Sequence, residues 1–566
     1  MLKKLPYGLS NFADLIESGY AYVDKTRFVE MLENEHSRYN FFIRPRRFGK
    51  SLFISILDNY YDLNQKDKFE SLFNNLYIGQ NPTPERGTYA VMRFNFSGLD
   101  TETHEFFRAS FLSKVSRAVQ GFLERYSNVI KNVDNLIELA YEKESDIGIL
   151  DIAFRAAASA NIPVYVIIDE YDHFANDLIA MGPAYKDEVK KGGLVRAFYE
   201  LLKIGTESVV RRIFITGITP MMINDLTSGF NMASDYSLDA KYNEMFGFTK
   251  EEVEWLMRET GVDRNLIEVD MEAYYNGYMF SNYGENKVFN SQMILYLFNQ
   301  MLRSGDKQPQ QVIDTNLRVN YERLRRLAEN DNNREILLNI VKDGGIFGEV
   351  AEKLTLENLN SEEYFVSLLF YLGMLTNGGM TEGRGYLKIP NYSIKTLYWD
   401  YAISYVQESE KESVGTVARE LANTIREMAY RGNIIPYLDF FTENFLKRLS
   451  NRDLINFDEK YIKAMMLATL FKSRFYLPVS EDENINGYTD IYLFKHPAIP
   501  DIKLEYVFEV KYIKICASKE EREAKFAEAM AQIEKYKKDT RFINRDDLKF
   551  AAIVFEGKGD YEAREA

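Results

Sequence analysis

A regular alternation in the first 245 residues constrains this chain most. Short β-rich runs are separated by amphipathic stretches. The clearest runs are NFFIRP, AVMRFNFS, PVYVIIDE and RRIFITGI, with helical stretches such as SLFISILDNYYDL and GLVRAFYELLKIG between them. Alternation of this kind predicts an α/β domain, a parallel sheet covered by helices. The length of 566 residues predicts roughly three to five folded units. A hydrophobic content of 46% excludes a wholly disordered chain.

The alternation divides the chain. Residues 1–245 read as the α/β domain and residues 246–345 as a helical lid, opened by Thr249 as N-cap of TKEEVEWLMRE. Residues 346–450 read as helical. Within them EEYFVSLLFYLGMLT, ending near Gly373, and the hairpin signal TEGRG suggest a winged-helix-like module. Residues 451–566 return to α/β, with GYTDIYLF, EYVFEVKYI and FAAIVFEG as strands and AEAMAQIEKYKKD as the helix between the last two.

Cys516 stands alone, which excludes a disulfide scaffold, and four scattered histidines make no local zinc pattern. No apolar run reaches the ~18–20 residues of a membrane helix, and the first residues carry no secretory pattern. The expectation is a soluble cytoplasmic protein with no membrane partner. The net charge is −15, of which −2 lies from residue 451 onward. So acidic a body attracts no nucleic acid by its global field, and a nucleic-acid site must be a local patch.

FFIRPRRFGKSLFISIL runs from a strand through a loop into a helix that begins near Gly49-Lys50-Ser51. At such a junction backbone N–H groups and the helix N-terminus hold phosphate oxygens, the lysine reaches the outer phosphates, and the hydroxyl meets Mg²⁺. The glycine expected six residues before the lysine is Arg44 here, and a GKS tripeptide can also simply start a surface helix. The buried run Val164–Ile168 ends in Asp169-Glu170. An aspartate there orients the Mg²⁺ shell and a glutamate polarises the attacking water; the bland reading is an acidic turn. Together the two segments predict ATP and Mg²⁺ binding. Thr216 and Thr219, at the end of RRIFITGIT, sense a γ-phosphate or simply pack. Arg46 and Arg47 clamp phosphate oxygens or pair with a local acid such as Asp172.

LPYGLSNFADLIESGYAYVDKT, RPRRFGKS, VIIDEYD and FITGITP resemble the AAA-ATPase-like domain of bacterial proteins that carry a restriction-nuclease-like C-terminus. The resemblance covers about the first 245 residues, and a missing first glycine is usual in that group. It implies that Gly49, Lys50 and Ser51 bind phosphate and Mg²⁺ and that Asp169 and Glu170 support hydrolysis. Asp24-Lys25-Thr26 belongs to the resemblance too, either near the nucleotide base or as a helix N-terminus. Homo-oligomerisation is a further expectation, with Arg211 or Arg212 as the arginine supplied to a neighbour's site.

A second constellation follows Gly487. Asp490 lies on one strand, and Glu509 and Lys511 lie two apart on the next, so those two share a face. Two carboxylates can hold Mg²⁺, and a lysine can position water or stabilise a phosphodiester transition state. The bland alternative is an exposed edge strand with a cross-strand salt bridge. The order of these residues, followed by Gln532 in AMAQIEKY, resembles the PD-(D/E)XK nuclease superfamily over about residues 450–560. That resemblance implies Asp490 and Glu509 as metal ligands, Lys511 as the catalytic lysine and Gln532 in support. Glu459, Asp458 and Glu481 are candidates for a further acid, Glu459 preferred.

The expectation is an ATP-binding and ATP-hydrolysing protein that controls a Mg²⁺-dependent nuclease, with DNA before RNA as substrate. The alternative is a non-catalytic, nucleotide-switched regulator that binds nucleic acid or a protein partner.

Overall fold

A computed structural model describes the chain apart from residues 1, 143–145, 174–187, 189–192, 221–231, 268, 305–330, 353, 355–360, 382, 409–413, 448–457, 474, 485–486, 497–498, 500, 516 and 558. Cys516 and the Glu481 side chain fall outside the described residues. The chain divides into two compact units. The first comprises residues 1–265, 270–306 and 347–390; the second comprises 266–269, 307–346 and 391–566.

In the first unit, helix α1 (Arg27–Glu33) precedes strand β1 (Tyr39–Ile43). Helix α2 (Lys50–Tyr61) and strands β2 (Ala90–Asn95), β3 (Val164–Asp169), β4 (Val210–Gly217) and β5 (Ser234–Asp235) follow. The strands pair in parallel in the order β2-β3-β4-β1-β5. Every residue of β3 is buried, as the continuous apolar run predicts for a strand covered on both faces. The C-terminal ends of β1 and β3 open on one edge of the sheet, where open α/β sheets bind ligands.

Helix α3 (Leu194–Thr206) presents an apolar stripe of Leu194, Val195, Phe198 and Leu202 to the core. Helix α4 (Lys250–Thr260) opens on a capping box between Thr249 and Glu252 and stops at Gly261, whose φ of 77° suits a residue without Cβ. Helix α5 (Glu362–Tyr371) leads into the antiparallel hairpin of β6 (Thr376–Thr381) and β7 (Arg384–Lys388). The compact units cut the chain differently from the four expected segments. Residues 246–265, 270–306 and 347–390 pack with the first unit, and the chain from Asn391 onward belongs to the second.

The second unit holds helix α6 (Glu459–Lys472) and helix α7 (Lys519–Tyr536). Its strands are β8 (Tyr476–Asn484), β9 (Gly487–Lys495), β10 (Glu505–Ile513), β11 (Leu548–Glu556) and β12 (Asp560–Glu565). They form a mixed sheet in the order β12-β11-β10-β9-β8, in which only β10 and β11 run parallel. Helix α7 crosses between these two strands, burying Phe526, Ala529, Ile533 and Tyr536 against Val507, Phe550, Ala552 and Val554. Among the described residues no helix is long and apolar enough to cross a membrane.

Candidate active sites

In the first unit a cavity of about 530 Å³ lies over the N-terminus of α2. Arg46, Arg47, Gly49, Lys50 and Ser51 line it from the β1–α2 loop, Glu170 and His173 from the end of β3. Gly49 caps the helix at φ 95°, a left-handed conformation that only glycine adopts freely. The loop's preceding Arg47 is also left-handed, at φ 70°. Leu9, Tyr22, Val23, Phe248 and Leu295 give the same cavity an apolar wall.

The Lys50 ammonium is buried and donates to the carbonyls of Arg44 and Pro45, 2.9 Å each. Burial pushes it down to about 8, against the pull of Asp169, Asp172 and Glu170. The Ser51 hydroxyl donates to Asp169 Oδ2 at 2.9 Å, while Asp169 Oδ1 is buried with no hydrogen-bond partner among the described residues. A hydroxyl, a carboxylate and a spare carboxylate oxygen suit a hard cation such as Mg²⁺. Glu170 sits at φ 51°, with its carboxylate 4.0 Å from His173 Nε2.

Arg44, in place of a glycine, is a structural brace. It is buried, donates to the carbonyls of Ile43, Ser237 and Tyr242, and stacks over Phe280 at 4.3 Å. Asp172 is likewise committed to the backbone, accepting from the Ile218 and Thr219 amides and the Thr219 hydroxyl.

The phosphate-sensing alternative for Thr216 and Thr219 gives way to packing. The Thr216 hydroxyl is fully buried and donates to the Phe42 carbonyl inside the sheet, and Thr219 is tied to Asp172. Arg212 is also corrected. It lies buried against Glu85 and the carbonyls of Leu32 and Glu33, so it cannot reach a neighbouring subunit; Arg211 is exposed. Of the two alternatives for Asp24-Lys25-Thr26, the helix N-terminus matches the backbone. Thr26 precedes α1 with Asp24 bonding its amide and hydroxyl, and Lys25 lines the cavity while its ammonium pairs with Glu252 at 2.6 Å.

In the second unit Glu509 and Lys511 lie on β10, a central strand, and are 2% and 8% exposed. Those values remove the exposed-edge alternative. Ile491 pairs with Phe508, which brings Asp490 level with Glu509, and Asp490 Oδ2 accepts from the Val510 amide at 2.9 Å. Lys511 Nζ lies 2.9 Å from Glu509 Oε1 and 3.5 Å from Glu459 Oε1. Glu459 therefore reaches the site from α6, while Asp458 caps that helix by accepting from the Tyr461 amide.

Burial, then the neighbouring Asp490, raise the Glu509 carboxyl above its usual value, with Lys511 and Tyr536 opposing. Burial works against the Lys511 ammonium, but the surrounding carboxylates outweigh it and hold it above the ordinary lysine range.

Two groups escaped sequence reasoning. Tyr536 donates to Glu509 Oε2 at 2.8 Å, and Gln532, one turn earlier, bonds Tyr536. Lys463 bridges Asp490 Oδ1 at 2.6 Å and Glu459 Oε1 at 2.7 Å. Their only sequence signal is i, i+4 spacing, Glu459 to Lys463 and Gln532 to Tyr536. Three carboxylates make an oxygen donor set suited to a divalent cation. Yet among the described residues no three His, Cys, Asp or Glu form a ready-made metal cage, because lysines stand between the acids.

Residues 6–227 match the family model described as predicted AAA-ATPase, and residues 457–564 match that of the PD-(D/E)XK nuclease superfamily. The first match spans the β1–α2 loop and Asp169, and the second spans Glu459, Asp490, Glu509, Lys511 and Gln532.

A curated relative, "Uncharacterized protein in vnfD 5'region" of Azotobacter chroococcum mcd 1, is 30% identical over 302 residues, 53% of this chain and 52% of that protein. The chain spans about half the length of that relative. Among solved structures, a Walker-type ATPase of Pyrococcus abyssi is 14% identical with a TM-score of 0.38, covering 70% of this chain and 99% of that one. The Aeropyrum pernix ORC1 protein in complex with DNA is 10% identical with a TM-score of 0.27, covering 66% of this chain and 91% of that one. At these scores neither likeness bears on the fold or the sites.

Proposed function

We propose that the protein binds and hydrolyses ATP in its first unit and that nucleotide state controls a Mg²⁺-dependent nuclease in its second, with DNA as the first substrate to test. The observation that carries the nuclease reading is the convergence of Asp490 on β9, Glu509 and Lys511 on β10 and Glu459 on α6, with Glu509 and Lys511 buried. Charged groups are expensive to bury without a task or a partner.

For ATP, Lys50 exchanges two carbonyls for the outer phosphates, and the N–H groups of the Gly49 turn cradle them. Ser51 and Asp169 would hold Mg²⁺, and Glu170 orients the attacking water. For the nuclease, Glu459, Asp490 and Glu509 would hold the divalent cation, which supplies Lewis acidity toward the phosphate and its water. Lys511 holds positive charge where the phosphodiester gains negative charge, and Tyr536, supported by Gln532, fixes the Glu509 carboxylate. Arg46, at the cavity wall, adds a second cation for phosphate.

The test is incubation of the full chain with DNA and with RNA, with and without Mg²⁺ and ATP, beside Lys50→Ala and Lys511→Ala. Cleavage that needs Mg²⁺, vanishes in Lys511→Ala and changes its ATP response in Lys50→Ala supports the whole reading. ATP hydrolysis without cleavage of either polymer leaves the regulator reading in its place.

A further inference from the structure

The nuclease-superfamily site contains two lysines, and only Lys511 belongs to the acid-x-lysine pair that first marked it. Lys463 projects from α6 one turn after Glu459 and is mostly buried, its side chain 20% exposed. Its ammonium lies 2.6 Å from Asp490 Oδ1 and 2.7 Å from Glu459 Oε1. These are short, charge-assisted contacts to two of the three carboxylates.

Both oxygens of Asp490 already have a partner, Lys463 on Oδ1 and a backbone amide on the other. That amide is the one of Val510, at 2.9 Å, which pins the carboxylate to the neighbouring strand. Glu459 Oε1 is shared as well, since Lys511 approaches it to 3.5 Å. Two ammonium groups therefore thread three carboxylates, and the acids meet through nitrogen rather than around a common point. A divalent ion needs those same oxygens.

Resting on the nuclease reading above, we propose that Lys463 is a built-in competitor for the divalent cation. Its ammonium bridges Glu459 and Asp490 in the metal-free protein and must leave for the ion to bind, so Lys463 sets the metal concentration at which the site forms. The side chain has a long flexible stem, so it can withdraw without moving α6. A purely structural Lys463 predicts the opposite outcome: its removal leaves two partly exposed carboxylates repelling each other and loosens the site.

The measurement is Mn²⁺ binding to the nucleotide-free full chain, by electron paramagnetic resonance of free Mn²⁺, for the parent, Lys463→Met and Lys463→Gln. The glutamine variant keeps polarity while losing charge, one atom shorter than lysine, and stands in if the methionine variant folds poorly. Both variants are expected to bind Mn²⁺ on the order of tenfold more tightly than the parent, the factor that one charged contact is worth. Mn²⁺ should also raise their melting temperatures more than the parent's. Equal or weaker Mn²⁺ affinity in both variants overturns the competitor role.

Asp490→Asn separates this failure from failure of the nuclease reading. It should abolish the binding in the parent background; if it binds Mn²⁺ as the parent does, the ion is not held at this site and the nuclease reading itself falls.

Discussion

Lys50 should make nucleotide binding proton-linked. In the nucleotide-free protein burial lowers its ammonium from 10.5 to about 8. That difference corresponds to roughly 3 kcal/mol by which the folded, empty loop disfavours the charged lysine. Phosphates restore the opposite charge, so the nucleotide-bound lysine returns toward its ordinary range and stays protonated. The sign follows. Below about pH 8 the lysine is charged before and after binding, and affinity is flat. Above it the free protein must take up a proton to bind, so affinity falls by up to about tenfold per pH unit. Terminal phosphates titrate near pH 6 and contribute nothing in that window.

Stability of the empty protein runs the other way. The unfolded chain binds the proton more tightly between about pH 8 and 10.5, so this group's penalty is full below that window and disappears as pH rises through it. Isothermal calorimetry with a slowly hydrolysed ATP analogue, in two buffers of different ionisation heat, reads the coupling directly. Proton uptake should be near zero at about pH 7 and approach one at about pH 9.5. A flat affinity with no uptake across that range refutes the reasoning, as does the same pH profile in Lys50→Met.

Asp172→Ala removes the acceptor for two buried amides and a hydroxyl, and should cost about 2–4 kcal/mol in urea denaturation. A loss below about 1 kcal/mol would show that the turn after β3 does not depend on it. Arg212→Ala breaks a buried ion pair and should cost about 3 kcal/mol or more, whereas Arg211→Ala should stay within about 0.5 kcal/mol. Equal effects in the melting curves would undo the assignment of Arg212 to the core. Tyr536→Phe deletes the donor to Glu509 and should slow nucleic-acid cleavage while lowering stability by only about 1 kcal/mol. Unchanged cleavage would place Tyr536 outside the working site.

The central strands were legible because burial on both faces demands an apolar run: β1, β3, β4 and β11 carry a continuous one, and β10 carries one interrupted only by Glu509 and Lys511. The edge strands of the second unit's sheet were not, although the first unit's edge strand β2 was. β8 contains Pro478 and runs into Ser480-Glu481-Asp482-Glu483, and β12 reads DYEARE. Proline and charge protect an unpaired edge, so the features that let these strands lie there also hide them from an apolar-run search.

The sites show the same division. Gly49-Lys50-Ser51 and Asp169 could be read because a phosphate loop needs contiguous residues at a strand–helix junction. Thr216 could not, since strand periodicity leaves open whether its hydroxyl faces a ligand or a neighbouring carbonyl. Lys463 and Tyr536 act from helices onto acids 27 positions away in each case, Lys463 on Asp490 and Tyr536 on Glu509, and no local pattern encodes that meeting. For the acid-x-lysine pair the deciding quantity was burial. On an edge strand Glu509 and Lys511 would form a screened surface pair worth almost nothing. On central β10, at 2% and 8% exposure, the same pair carries a desolvation cost that only its neighbours offset. Glu459, Asp490, Lys463 and Tyr536 are those neighbours, so the network that makes the pair tolerable in the core is also the one that would receive the cation.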